Sequence, residues 1–262
     1  MTDSAVLYDV SDGVATITLN RPENRNSMTP DVLHGFEEAV RGARADRELR
    51  AVIITGKGGS FCAGADFKTR TEGAADAPAL PYEGALRTYA PFLSVLGIEV
   101  PVIAAMNGHA IGGGFGLALV ADIRVANREA RYGANFAKLG IHTGMAISYL
   151  LPRLIGVPKA ADLLFAARVI SGAEAAEIGI AHCAVAPAEV LAEAQRRARE
   201  IASCAPIAVR LIKRTFYRGL DWDPVAAAER EAWAQSATFG TSDAREGIRA
   251  LLEKRPPRFE GR

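Results

Sequence analysis

Asn107-Gly108-His109-Ala110-Ile111-Gly112-Gly113-Gly114-Phe115-Gly116 decides how this chain is read. An apolar run, Pro101-Val102-Ile103-Ala104-Ala105-Met106, precedes it and is short and β-branched enough for a buried strand. Leu117-Ala118-Leu119-Val120 follows and reads as the start of a buried helix. Strand, glycine triplet and helix start bring bare backbone N–H groups and the positive end of a helix dipole to one place. Glycine removes the side chains that would block close approach. Such a place suits negative charge on oxygen, either a phosphate or the oxyanion that forms on a carbonyl. A triplet alone is equally a tight strand-to-helix turn.

A second stretch of the same kind tips that balance. Ala51-Val52-Ile53-Ile54-Thr55-Gly56 reads as another buried strand, and the small-residue loop Lys57 to Phe67 follows it, with Asp66 near its end. Two strand-then-glycine loops can each donate one N–H to the same oxygen, and an oxyanion hole needs such a pair.

The rest of the chain supplies an α/β frame. Val6 to Val10 and Val14 to Leu19 flank the turn Ser11-Asp12-Gly13 and predict a β-hairpin. Thr29-Pro30 reads as an N-cap with proline at the first helical position, followed by Val32, Leu33, Phe36 and Val40 at helical spacing. Residues 69–82 read as a mobile surface loop, Glu83 to Leu96 as a helix and Ile123 to Ala126 as a strand. From Ala146 onward the pattern is almost all helical, with capping-box spacing at Ser171 to Glu174. Helices are expected over 187–203, 206–219, 224–238 and 243–253. The order predicts an α/β core over 1–200 and a helical C-terminal region over 201–262 that packs on a neighbouring subunit.

Composition narrows the function. The chain has 262 residues, 49% of them hydrophobic and 23% charged, and a net charge of +1, so nothing in it calls for nucleic acid. The cysteines Cys62, Cys183 and Cys204 are widely spaced and odd in number, which points to a reducing, cytoplasmic setting and to neither a disulfide framework nor a metal site. No signal peptide or membrane span is expected.

The quoted motifs resemble the crotonase superfamily, also called the enoyl-CoA hydratase/isomerase family, along nearly the whole chain. Ile17-Thr18-Leu19-Asn20-Arg21-Pro22 looks like its N-terminal strand and loop, Phe61 to Asp66 like its first oxyanion loop, and Asn107 to Gly114 like its second. Leu151-Pro152 to Gly156 and the tail from Glu246-Gly247 to Phe259 also fit. The resemblance implies a crotonase-like α/β spiral of ββα repeats with a C-terminal helical region, assembled as a homotrimer or dimer of trimers. It implies an acyl-CoA ligand, with coenzyme A as part of the substrate and no separate cofactor. It places the thioester oxygen on the N–H groups of Ala65 and Gly113, beside Ala63 and Gly112. Lys68, Arg25 and the tail residue Lys254 are the implied CoA contacts, each otherwise an ordinary solvated charge.

The resemblance breaks where protons move. Hydratases of the family use two glutamates as general acid and base. Their positions match Gly116 and Phe136 here, and the acid of some related isomerases and dehalogenases matches Gly144. Efficient hydration is therefore not expected. His142 is the candidate proton carrier, with a backbone-bonded loop histidine as the plainer reading. Asp66 is either a helix-start acid or a site carboxylate, and Tyr82, Glu83 and Arg87 are either a solvated helix start or extra site groups. Cys62 is expected to be packed and inert. Three outcomes stay open: an enzyme stabilising a thioester enolate with other side chains, a non-catalytic acyl-CoA binder or carrier in which Gly116 and Phe136 shape an apolar cavity, and a structural subunit of a mixed oligomer.

Overall fold

Strands β3 (Ala51–Gly56) and β5 (Val102–Met106) are buried at every position, so both of their faces must be covered. An unbroken apolar run is the mark of a parallel strand with a layer on each side. The computed structural model, which describes residues 4–66 and 80–262, shows how this is done. β1 (Val6–Ser11), β2 (Val14–Leu19), β3, β5, β7 (Ile123–Asn127) and β10 (Cys183–Val185) lie in that order in a six-stranded sheet. Only the β1–β2 hairpin is antiparallel. β4 (Ser60–Cys62), β6 (His109–Ile111), β8 (Arg131–Gly133) and β9 (Val169–Ser171) form a four-stranded second sheet in that order. Each turn of the chain lays one strand in the large sheet and the next in the small one: β3 then β4, β5 then β6, β7 then β8. These are the expected ββ steps of the spiral.

Helices close the layers. Alternate residues of β3 enter opposite cores, as a period of two requires. Val52 and Ile54 join Phe36 of α1 (Pro30–Ala45) and Phe92 of α2 (Pro81–Leu93), whose rings meet edge-on at 4.9 Å. Ile53, with Ile103 and Val125, packs against Val190, Ala194 and Ala198 of α7 (Val190–Ala202). The remaining helices are α3 (Gly113–Leu119), α4 (Ile147–Ile155), α5 (Val157–Phe165), α6 (Gly172–Glu177), α8 (Pro206–Gly219), α9 (Pro224–Phe239) and α10 (Ser242–Leu252). α8 is pinned to the sheet by Lys213, whose Nζ donates to Asp122 Oδ2 at 2.7 Å and to the Val100 carbonyl at 2.9 Å.

Thr29 is the N-cap of α1 with Pro30 at its start, as expected, although its hydroxyl bonds the Asp31 carboxylate and no backbone amide. Other expectations need correcting. The helix expected from Glu83 to Leu96 runs from Pro81 to Leu93 and tightens into a 3₁₀ turn, Ser94–Gly97. β9 and β10 lie in the stretch read as almost all helical, because three-residue strands are too short to show a period. The Ser171 cap is present, accepting the Glu174 N–H at 3.1 Å. Most of the loop assigned to 69–82 lies outside the described residues. Among the described residues no helix is long and apolar enough to cross a membrane.

Candidate active site

The two glycine loops leave the ends of β3 and β5, which pair in parallel in the large sheet. Asn107 staples the loops together. Its Oδ1 accepts the Gly56 N–H at 3.0 Å and its Nδ2 donates to the Gly58 carbonyl at 2.8 Å. Asn26 braces the first loop from the other side, donating to the Ser60 carbonyl at 2.8 Å and the Lys57 carbonyl at 3.0 Å. The Arg25 carbonyl accepts the Ala63 N–H at 3.0 Å, and the Gly64 carbonyl accepts the Met28 N–H at 2.8 Å.

These clamps press the loops into contact. Gly64 sits at φ 85° and Gly112 at φ 56° with ψ −120°, conformations that L side chains rarely adopt. A β-carbon on Gly64 would lie 3.0 Å from the Gly113 nitrogen and 2.6 Å from the Ile111 carbonyl oxygen. One on Gly114 would lie 2.0 Å from the Cys62 carbonyl oxygen. The residue before Ala65 thus touches the Gly113 amide. Among the described residues, neither the Ala65 nor the Gly113 N–H has a protein acceptor.

Two other glycines give their side-chain space to neighbours. A β-carbon on Gly116 would lie 2.4 Å from Met145 Cβ. Met145 is buried, and it and Ala146 are both left-handed, at φ 57° and 55°, which turns the methionine under α3. A β-carbon on Gly144 would lie 2.4 Å from Tyr89 Oη. Tyr89, on α2, had no sequence motif to mark it; the only signal was its place one helical turn before the buried Phe92.

The other candidates fall as follows. The Phe136 ring lies against the glycine loop, its Cζ 3.7 Å from where a β-carbon on Gly112 would be. His142 is exposed, with Nδ1 2.7 Å from the Thr143 carbonyl oxygen, so the loop-histidine contact is present and the polar atom against Gly144 is that of Tyr89. Asp66 is half-buried directly after Ala65, and Ala63 is half-buried before Gly64. Arg25 is exposed at φ 60°, serving the loop through its carbonyl. Lys254 is exposed at φ 55° beyond the end of α10. Lys68 lies outside the described residues. Burial pushes the Cys62 thiol up to about 12, against a smaller opposing effect of the Gly64 backbone, so it is no nucleophile. A cavity of about 750 Å³ lies elsewhere, between α10 and the tail, lined by Arg245, Arg249 and Arg258 among others.

Comparison with known proteins agrees with this architecture. The enoyl-CoA hydratase/isomerase family profile matches residues 9–262. The chain is 37% identical over 256 residues to a crotonyl-CoA hydratase of Syntrophomonas wolfei, covering 97% of each. It is 34% identical over 260 residues to the human mitochondrial methylglutaconyl-CoA hydratase, covering 97% of this chain and 76% of that one. The crystal structure of a Bacillus anthracis enoyl-CoA hydratase superposes with a TM-score of 0.91 at 34% identity, covering 98% of this chain and 100% of that one.

Proposed function

The chain belongs to the enoyl-CoA hydratase/isomerase family, and from that premise we propose that it binds an acyl-CoA thioester and stabilises its enolate, without being an efficient hydratase. One observation carries the reading: two glycine loops in contact, each with an amide lacking a protein acceptor. Amides of this kind, aimed at the oxygen where charge develops, lower the barrier by about 2.7–4 kcal/mol each. They make an enolate accessible but move no proton. Gly116 is filled in by Met145 and Phe136 is apolar, so the acid–base pair that hydration needs has no place here. The same packing favours the second reading, an acyl-CoA carrier without turnover.

Assembly as a trimer or a pair of trimers belongs to the proposal. Ile212 and Phe216 of α8 and Trp233 of α9 are 66%, 59% and 63% exposed, too much apolar surface to leave in water. The groove between these helices has a volume of about 530 Å³. Free Cys62, Cys183 and Cys204 fit a reducing cytoplasm. The test pairs a crotonyl-CoA hydration assay with calorimetric binding of butyryl-CoA. Binding with a turnover well below about 10 s⁻¹ is expected. Efficient hydration, or no binding, refutes the reading.

A further inference from the structure

We propose that the hydroxyl of Tyr89 carries the proton to and from the α-carbon of the bound thioester. The inference rests on the acyl-CoA reading and names the group that reading lacks. Tyr89 Oη and Cζ would lie 2.4 and 2.7 Å from a β-carbon on residue 144, so the hydroxyl stands where a side chain of that residue would begin. Residue 144 is one peptide step from Met145, about 3.8 Å between α-carbons. Met145 Cγ lies 3.7 Å from where a β-carbon on Gly113 would be. The hydroxyl and the Gly113 amide therefore flank the same short segment, with the methionine between them. In a thioester the carbonyl oxygen and the α-carbon are only two bonds apart. The proposal requires that an oxygen held by the Gly113 amide present its α-carbon to this segment.

Two further observations support the assignment. The phenol sits on a fixed support: Tyr89 is half-buried against the main core, and Phe92, one turn on, is fully buried. No protein partner for its hydroxyl occurs among the described residues. Next to Gly144, Thr143 Oγ1 is buried and also has no hydrogen-bond partner. Buried hydroxyls are ordinarily satisfied, so this one is open to a partner from outside the chain, water or a bound guest.

The step balances without any group the protein lacks. In the protonating direction the Tyr89 O–H bond breaks and the enolate electron pair forms the new α-carbon–hydrogen bond. The thioester carbonyl is restored, and water reprotonates the phenolate. In the reverse direction the phenolate takes the α-proton while the electron pair moves onto the oxygen held by the amides. Tyrosine is an established acid–base side chain when it is positioned at the reacting atom.

Butyryl-CoA, which has no double bond to hydrate, serves as the probe. The full chain is incubated with it in D2O, and loss of the α-proton signal is followed by NMR. Exchange faster than in protein-free buffer is expected, falling about a hundredfold in Tyr89→Phe. Butyryl-CoA affinity should stay within about threefold, because the amides are untouched. Gly144→Ala, which displaces the hydroxyl without altering Tyr89, should show the same loss. Exchange at the wild-type rate in Tyr89→Phe overturns the proposal, as does loss confined to His142→Ala or Asp66→Asn. A wild-type protein that binds butyryl-CoA without exchanging its α-protons overturns it too. Failure to bind butyryl-CoA overturns the acyl-CoA reading beneath it.

Discussion

Gly116 and Gly144 are alike in sequence and opposite in consequence. Both are buried, and both surrender their side-chain space to another residue. At Gly116 the occupant arrives by its β-carbon, Met145 Cβ, which cannot move without its backbone. At Gly144 the occupant is the tip of a long side chain, the Tyr89 hydroxyl, which can swing away. The first space is sealed with hydrocarbon from Met145 and Ile147. The second is lined by a polar atom and sits beside the orphan Thr143 hydroxyl. An absent side chain thus says little until its replacement is seen: one gap is filled by a β-carbon and the other by a hydroxyl.

The sharpest way to break the comparison is Gly116→Glu, which puts a carboxylate where the family resemblance would have a hydratase glutamate. Its β-carbon meets Met145 Cβ and its charge is buried, so stability should fall by about 3 kcal/mol or more in urea unfolding. Hydration should not return. A Gly116→Glu protein of wild-type stability would show that the methionine yields easily. Gly144→Ala should be much milder: since φ there is not left-handed and only the tyrosine tip must move, the expected loss is under about 1.5 kcal/mol, within the range of mild overpacking. A collapse of the fold would erase the distinction between the two sites.

Smaller effects sharpen it. Ala146 holds φ 55° in the pair that aims Met145 at α3, and a left-handed alanine is strained. Ala146→Gly should gain about 0.5–1 kcal/mol, after allowing for the looser unfolded chain. Thermal melting that shows a loss instead would mean the pair is not strained. Thr143→Val removes a buried hydroxyl with no partner, so the ligand-free protein should be unchanged or gain up to about 1 kcal/mol while butyryl-CoA binds more weakly. Lower stability without ligand, with affinity unchanged, would show that the hydroxyl serves the fold and no guest.

What could be read from the sequence followed from local chemistry. The strands at 51–56 and 102–106 announce themselves because both faces are apolar, and the glycine loops because their residues tolerate close contact. Gly116 and Phe136 could be matched to the family's proton carriers through the resemblance alone. Their environments could not. Met145 reaches Gly116 from 29 positions away and Tyr89 reaches Gly144 from 55 positions away, and neither tertiary contact leaves a periodic trace. His142 stood out because imidazole is conspicuous in a sequence. Tyr89 did not, since a tyrosine three residues before a phenylalanine reads as helix packing. β9 and β10 were missed because they owe their shape to the neighbouring strands they pair with.

The Asn107 staple also bears on how fast this protein reaches its native state. The two bonds that hold the glycine loops span 51 and 49 residues of chain. Neither can form until β3 and β5 are already side by side, and parallel pairing over such distances is slow because loop closure must come first. The pair of amides is therefore a late product of folding, absent from any short fragment. During refolding, the capacity to bind an acyl thioester should appear only after most helical signal has returned.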